Sequence, residues 1–166
     1  MPTDAIVLLR DEHKQMRRLF KEFQQAGEDA TQKKARLAEE IIGALTAHTY
    51  IENECMYPEV RKLLPDLDED ILESYEEHHV ADLLTAELEQ LDASDDHFDA
   101  KMTVLMENVT HHMEEEESDW FPKVRQGLGR KALQELGDRM AELRRDAPRR
   151  PSDVKARKSA ADAVNA

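Results

Sequence analysis

HTYIENECMYP (residues 48–58) and HMEEEESDWFP (residues 112–122) follow one template: a His, three residues, a Glu, four residues, an aromatic and a Pro. Every matched element is displaced by 64 residues. An acid-His pair precedes each stretch. His13, in Glu12-His13, lies 35 residues before His48, and His78, in Glu77-His78, lies 34 before His112. Such a repeat implies two helical hairpins of one design stacked together. On an α-helix four residues advance the chain about 6 Å and turn it only about 40° past a full turn. His48 and Glu52 therefore share a face, as do His112 and Glu116.

Helical periodicity extends outward from both stretches. Ile6, Leu9, His13, Met16, Phe20 and Phe23 predict a first helix over residues 4–26, capped by Thr3 or Asp4 and stopped at Gly27. A second helix, over 31–64, has Thr31 as its cap and Pro58 as a kink or early end. A third is expected over 67–92 and a fourth over 97–125, with Gly127 and Gly129 as breakers. Leu133, Leu136, Met140 and Leu143 predict a short fifth helix over 130–145. The expected fold is all-α: an up-down-up-down four-helix bundle over residues 1–146 with a short fifth helix. Residues 147–166, rich in Pro, Ala, Arg, Lys and Ser, are expected to form a basic flexible tail.

Composition agrees. Five glycines, six prolines and 5% aromatics disfavour a β-sandwich or barrel. Thirty-seven acids against 23 bases leave a formal charge of −14, so neither nucleic acid nor an anionic membrane is an expected partner. The apolar run Ala5 to Leu9 is too short for a signal peptide or a membrane span. The single cysteine, Cys55, excludes an intramolecular disulfide. A cytoplasmic setting is expected. No glycine-rich phosphate loop or dinucleotide fingerprint is present.

Four imidazoles and two carboxylates converging on a bundle interior suit iron, manganese or zinc, and match Cu(I) poorly. They exceed what a structural zinc needs. Shared between two metals, they leave coordination places for an oxo or hydroxo bridge, water or a small diatomic ligand. Histidines and glutamates buried on four core stripes are costly unless they share a partner, and a metal removes that cost.

These residues resemble the hemerythrin-like, or HHE cation-binding, family over about residues 4–125. The resemblance implies a four-helix bundle around a non-haem di-iron centre, oxo- or hydroxo-bridged. Its ligands would be His13, His48, Glu52, His78, His112 and Glu116, with the two glutamates as bridges. His79 adjoins His78 and is the alternative there, although apolar spacing after His78 matches that after His13. His111 and His97 are expected at the surface or in a loop.

One departure bears on function. The oxygen-carrying hemerythrins place a fifth histidine one turn after the first on helix 3, where this chain has Asp82. They also have an Asp one residue beyond the position of Glu116. Asp82 is open to three roles: metal ligand, partner orienting a ligand imidazole, or surface acid. A more protic iron pair favours reaction with peroxide, O2 or nitric oxide over reversible oxygen carriage. The expected function is thus a di-iron protein binding or reacting with a small oxygen species. An iron or oxygen sensor, or an iron-holding module stabilised by its metal, is the alternative, and a metal-free helical adaptor is the third reading. Tyr50 and Tyr57 flank the first motif; one could hydrogen-bond an iron-bound oxygen species or ligate iron itself, but ordinary packing with the hydroxyl at the rim is the expectation for each.

Overall fold

The computed structural model describes residues 3–154, and among these every regular element is helical. Helix α1 spans Ala5–Gln25, α2 Thr31–Ile51, α3 Tyr57–Leu63, α4 Asp68–Glu89, α5 Phe98–Glu115 and α6 Phe121–Arg145. Asp4 caps α1 by accepting from the backbone N–H of Ile6 at 2.8 Å and of Val7 at 3.2 Å. Thr31 is not the cap of α2 but its first residue, and Ala30 precedes it with no side-chain cap.

Each long hairpin arm contains a π-helical turn, Glu52–Met56 between α2 and α3 and Glu116–Trp120 between α5 and α6. In both, the residue before the proline donates five residues back: Tyr57 N–H to Glu52 C=O, and Phe121 N–H to Glu116 C=O. The cause is local. Pro58 and Pro122 carry no N–H and their rings crowd the carbonyl four residues earlier, so the preceding turn opens. Pro58, expected to kink or end its helix, therefore widens it by one residue. Gly127, expected to break the fourth helix, stays helical and makes room for Leu64, whose methyl carbons lie 2.6 and 2.7 Å from where a Cβ would stand. Gly129, with φ of 78° and ψ of 175°, is the break, and the predicted fifth helix follows it.

The apolar interior has two parts. One joins Met16, Phe20 and Phe23 of α1 to Leu37, Ile41 and Leu45 of α2 and to Met102, Leu105 and Val109 of α5. The other joins Ile6 and Leu9 to Tyr57, Val60, Phe121, Leu133, Leu136 and Met140, so the segment after Gly129 seals that end of the bundle. Between them lies a layer of buried polar side chains.

The first part of the basic tail lies against the body. Arg149 packs over Gly43, Arg150 pairs with Glu89 at 3.0 Å, and residues 151–154 make one helical turn. The rest of the expected tail, 155–166, lies outside the described residues. No helix among the described residues is long and apolar enough to cross a membrane.

Gly137 of α6 sits where a Cβ would come 1.8 Å from the carbonyl oxygen of Thr3 and 2.8 Å from the amide nitrogen of Ala5. Those are backbone atoms and cannot rotate away. Gly137→Ala is expected to destabilise by about 1–3 kcal/mol, lowering the melting temperature read by circular dichroism by several degrees. An unchanged melting curve would contradict this close approach of α1 and α6.

Candidate metal centre

All six sequence-predicted ligands are buried in that polar layer, at 0 to 7% exposure. They fall into two groups, His13 with His48 and Glu116, and Glu52 with His78 and His112. Within each group the donor atoms lie within 4.8 Å of one another. His48 Nε2 lies 2.9 Å from Glu52 Oε1, and His78 Nε2 3.4 Å from the same oxygen. Glu116 Oε1 lies 3.3 Å from His13 Nε2 and 3.4 Å from His112 Nε2. Each glutamate thus reaches histidines of both hairpins. Of the adjoining pair, His78 is buried in the cluster, whereas His79 is exposed. His111 and His97 are exposed, as expected. Asp82 is exposed and belongs to neither group.

The outward nitrogens of the four rings face oxygens. His13 Nδ1 meets Glu117 Oε1 at 3.1 Å, and Arg17 clamps that glutamate with both of its terminal nitrogens, at 3.0 and 2.7 Å. His78 Nδ1 meets Asn53 Oδ1 at 2.8 Å, and His112 Nδ1 meets Glu77 Oε2 at 2.9 Å. His48 Nδ1 lies 3.7 Å from Glu12 Oε1. A carboxylate or an amide oxygen only accepts, so in His13, His78 and His112 the hydrogen bond puts a proton on Nδ1 and leaves Nε2 facing the cluster, the arrangement that orients imidazoles toward a metal. The acids noted before His13 and His78 thus serve the other histidine of each hairpin. Asn53 and Glu117 escaped the sequence reading, although the repeat offset of 64 relates them and each directly follows a motif glutamate.

Tyr57 departs from expectation. It is fully buried, and its hydroxyl lies inside the cluster rather than at the rim. It donates to Glu116 Oε2 at 3.0 Å and stands 3.2 Å from His78 Nε2 and 3.3 Å from His112 Nε2. Phe121, its counterpart in the repeat, stacks on His13 at 5.7 Å between ring centres. Tyr50 is half-buried, packed against the core that holds Tyr57. Cys55 is half-buried too, and burial pushes its thiol up, away from reactivity.

Several buried atoms here have no hydrogen-bond partner: Nε2 of His13, both nitrogens of His48, both carboxylate oxygens of Glu52 and Oε1 of Glu116. Leaving such groups unsatisfied costs about 1–3 kcal/mol apiece. Nitrogen and oxygen donors that converge on one another in such an interior are what a cation satisfies. The residues fit a metal pair.

Protons partly compensate the metal-free cluster. Burial opposes charge on His48, yet Glu52 and Glu12 hold it well above the usual imidazole range. Burial likewise opposes charge on His112, which Glu116 and Glu77 nonetheless push up to about 9. Glu52, despite burial, is held well below the usual carboxylate range, chiefly by His48. A cation must displace the imidazole protons. Metal loading at pH 7 is expected to release about two protons per chain, from His48 and His112. Because the raised values mean tighter proton binding, affinity falls as pH falls. Calorimetry in buffers of differing ionisation enthalpy measures the release, and binding without proton release would contradict it.

Known proteins are similar to this chain. The model of the Hemerythrin HHE cation binding domain covers residues 4–124. A DNA nickase of Nostoc sp. is 30% identical over 121 residues, which is 73% of this chain but 33% of that protein. The chain thus spans about a third of the length of that curated relative. The crystal structure of a hemerythrin HHE cation binding domain-containing protein from Mycobacterium kansasii superposes with a TM-score of 0.73 at 21% identity, over 86% of each chain, and so shares the fold. With its motif histidines and glutamates gathered inside a helical bundle and the family model spanning residues 4–124, the chain belongs to the hemerythrin HHE cation-binding family.

Proposed function

We propose that the chain is a cytoplasmic non-haem di-iron protein that binds or reacts with a small oxygen species: O2, peroxide or nitric oxide. The observation that carries this is the pair of buried His/Glu donor groups with unsatisfied atoms, three of whose imidazoles border a cavity. The cavity holds about 270 Å³ and lies between α2, α4 and α5. Three ligand imidazoles, of His48, His78 and His112, form part of its lining. Leu45, Val80, Ala81, Val109 and Met113 supply apolar wall that suits an uncharged small molecule, beside the polar Thr49, Glu73, Glu77, Asn108 and His111. Four imidazoles and two carboxylates, with no thiolate, suit iron or manganese. An iron pair held by His13, His48, Glu52, His78, His112 and Glu116 supplies Lewis acidity and redox chemistry.

The chain's own residues divide the remaining work. Arg17 fixes Glu117, which orients His13. Asn53, Glu77 and Glu12 face the other three rings. Tyr57 holds a proton: burial, with Glu116 and Glu52 nearby, pushes its hydroxyl well above the usual phenol range. It is therefore an O–H donor at neutral pH, on the side of His78 and His112. On the side of His13, Phe121 offers no such proton. Protonation of an oxygen species is accordingly confined to one end of the cluster. With a formal charge of −14 the chain is a poor match for a phosphodiester backbone, so the activity named for the Nostoc protein is not carried over.

Aerobically prepared protein is expected to contain two irons per chain and to show oxo-to-iron charge-transfer absorption that changes on adding hydrogen peroxide or nitric oxide. Iron-replete protein with no spectral response to either, nor to O2, would leave only the metal-stabilised holding role. Tyr57→Phe is expected to keep two irons and slow the response to peroxide by about 10²-fold. His78→Ala is expected to lose metal by elemental analysis while His79→Ala retains it.

A further inference from the structure

His13, His78 and His112 each make a hydrogen bond through the outward ring nitrogen, and His48 does not. Its Nδ1 faces Glu12 Oε1 at 3.7 Å, and neither oxygen of Glu12, a side chain only 16% exposed, is in a hydrogen bond. The same Oε1 faces Arg144 of α6, whose Nε lies 3.5 Å away. Three groups thus stand in a row, arginine, carboxylate and ligand imidazole, at distances of charge contact.

The register of two helices puts Arg144 there. Beyond Gly129, α6 packs on α1, with its Leu136 and Met140 in one apolar cluster with Ile6 and Leu9. Gly137 brings the two backbones together at Thr3 to Ala5. Arg144 is seven residues beyond Gly137, and Glu12 is seven beyond Ala5. Helices that touch at one point and run the same way meet again two turns later, about 10 Å further along. The molecule also holds a tighter version of the same row: Glu117 Oε1 accepts from Arg17 Nη1 at 3.0 Å and meets His13 Nδ1 at 3.1 Å.

Resting on the metal-centre reading above, we propose that Arg144 is a positioning residue of the centre: it holds Glu12 before Nδ1 of His48 and so aims that imidazole at the metal. A carboxylate largely removed from water and left without a cation turns outward to be hydrated. Nδ1 of His48 then has no acceptor in front of it. With Arg144 in place Oε1 stays where it is, the ring keeps its proton on Nδ1, and Nε2 stays on the cluster, 2.9 Å from Glu52 Oε1. Arg144 lies beyond residues 4–124, the span of the family model, so this contribution comes from the helix that seals the end of the bundle.

The full-length protein loaded with zinc, a diamagnetic metal, tests this. Arg144→Gln is expected to lower zinc affinity about tenfold in competition with a chelator. Arg145→Gln, the same charge change on the exposed neighbour, is expected to keep the wild-type affinity. In nitrogen-15 NMR the Nδ1 proton of His48 should exchange slowly with water in the wild type and in Arg145→Gln, and lose that protection in Arg144→Gln. The Nδ1 proton of His13 should stay protected in all three. Glu12→Ala is expected to lose affinity as Arg144→Gln does, and combining the two should lower it no further. Arg144→Gln that leaves either the affinity or the exchange unchanged overturns the proposal, whatever its melting temperature, and makes Arg144 a staple between helices. Additive losses in the double variant overturn it as well, because Arg144 would then act other than through Glu12. Wild-type protein that takes up no zinc overturns the underlying metal-centre reading instead.

Discussion

The structure is organised around the cost of a polar layer placed inside an apolar bundle. Four imidazoles and two carboxylates lie between two hydrophobic clusters and are nearly sealed from solvent. Charged or unpaired groups in such a place are tolerated only when something shares their electrons or protons. Three devices do so here. Acceptors face the outward ring nitrogens, Tyr57 donates to Glu116, and raised imidazole pKa values keep protons in the metal-free cluster. None of them reaches every donor, and what they leave unsatisfied points at a cation.

The internal repeat gives this layer an approximate two-fold relation that its chemistry breaks. Glu117 and Asn53 occupy matched positions and orient matched histidines, but one is a carboxylate clamped by Arg17 and the other a neutral amide. Phe121 and Tyr57 are matched as well, one stacking on an imidazole and the other placing a hydroxyl among donors. The half containing His13 is therefore braced by an ion pair, and the half containing His78 by a neutral amide and a phenol. Two metals held here would not be equivalent, because the groups that orient their ligands differ.

Much of this was legible in the sequence because side-chain spacing on a helix is regular. His48 with Glu52, and His112 with Glu116, share a face by simple periodicity, and the repeat made each credible. A place for Tyr57 in the cluster was the disfavoured reading for the same reason. At about 100° per residue, a position five beyond Glu52 falls about 140° round an ideal helix and ought to point away. Only the π-helical turn, in which Tyr57 N–H bonds to Glu52 C=O, turns it back. Gly127 was misread because glycine in a helix signals either a stop or a close neighbour, and only the fold reveals Leu64 beside it. Asn53 and Glu117 were hidden by their identity: neighbours of a ligand on an acidic helix look solvated.

The two widened turns also determine where the chain tolerates changes of length. Each holds one residue more than a regular helix would need, so removing a residue there lets the helix close into its ordinary ladder. Everything downstream would then swing by about 100°, carrying the aromatic side chain off the donors and α3 or α6 off its bed. The linkers before α2 and before α5 carry no such constraint. Insertions and deletions among descendants of this chain should gather in those linkers and avoid the eleven-residue windows from His48 to Pro58 and from His112 to Pro122.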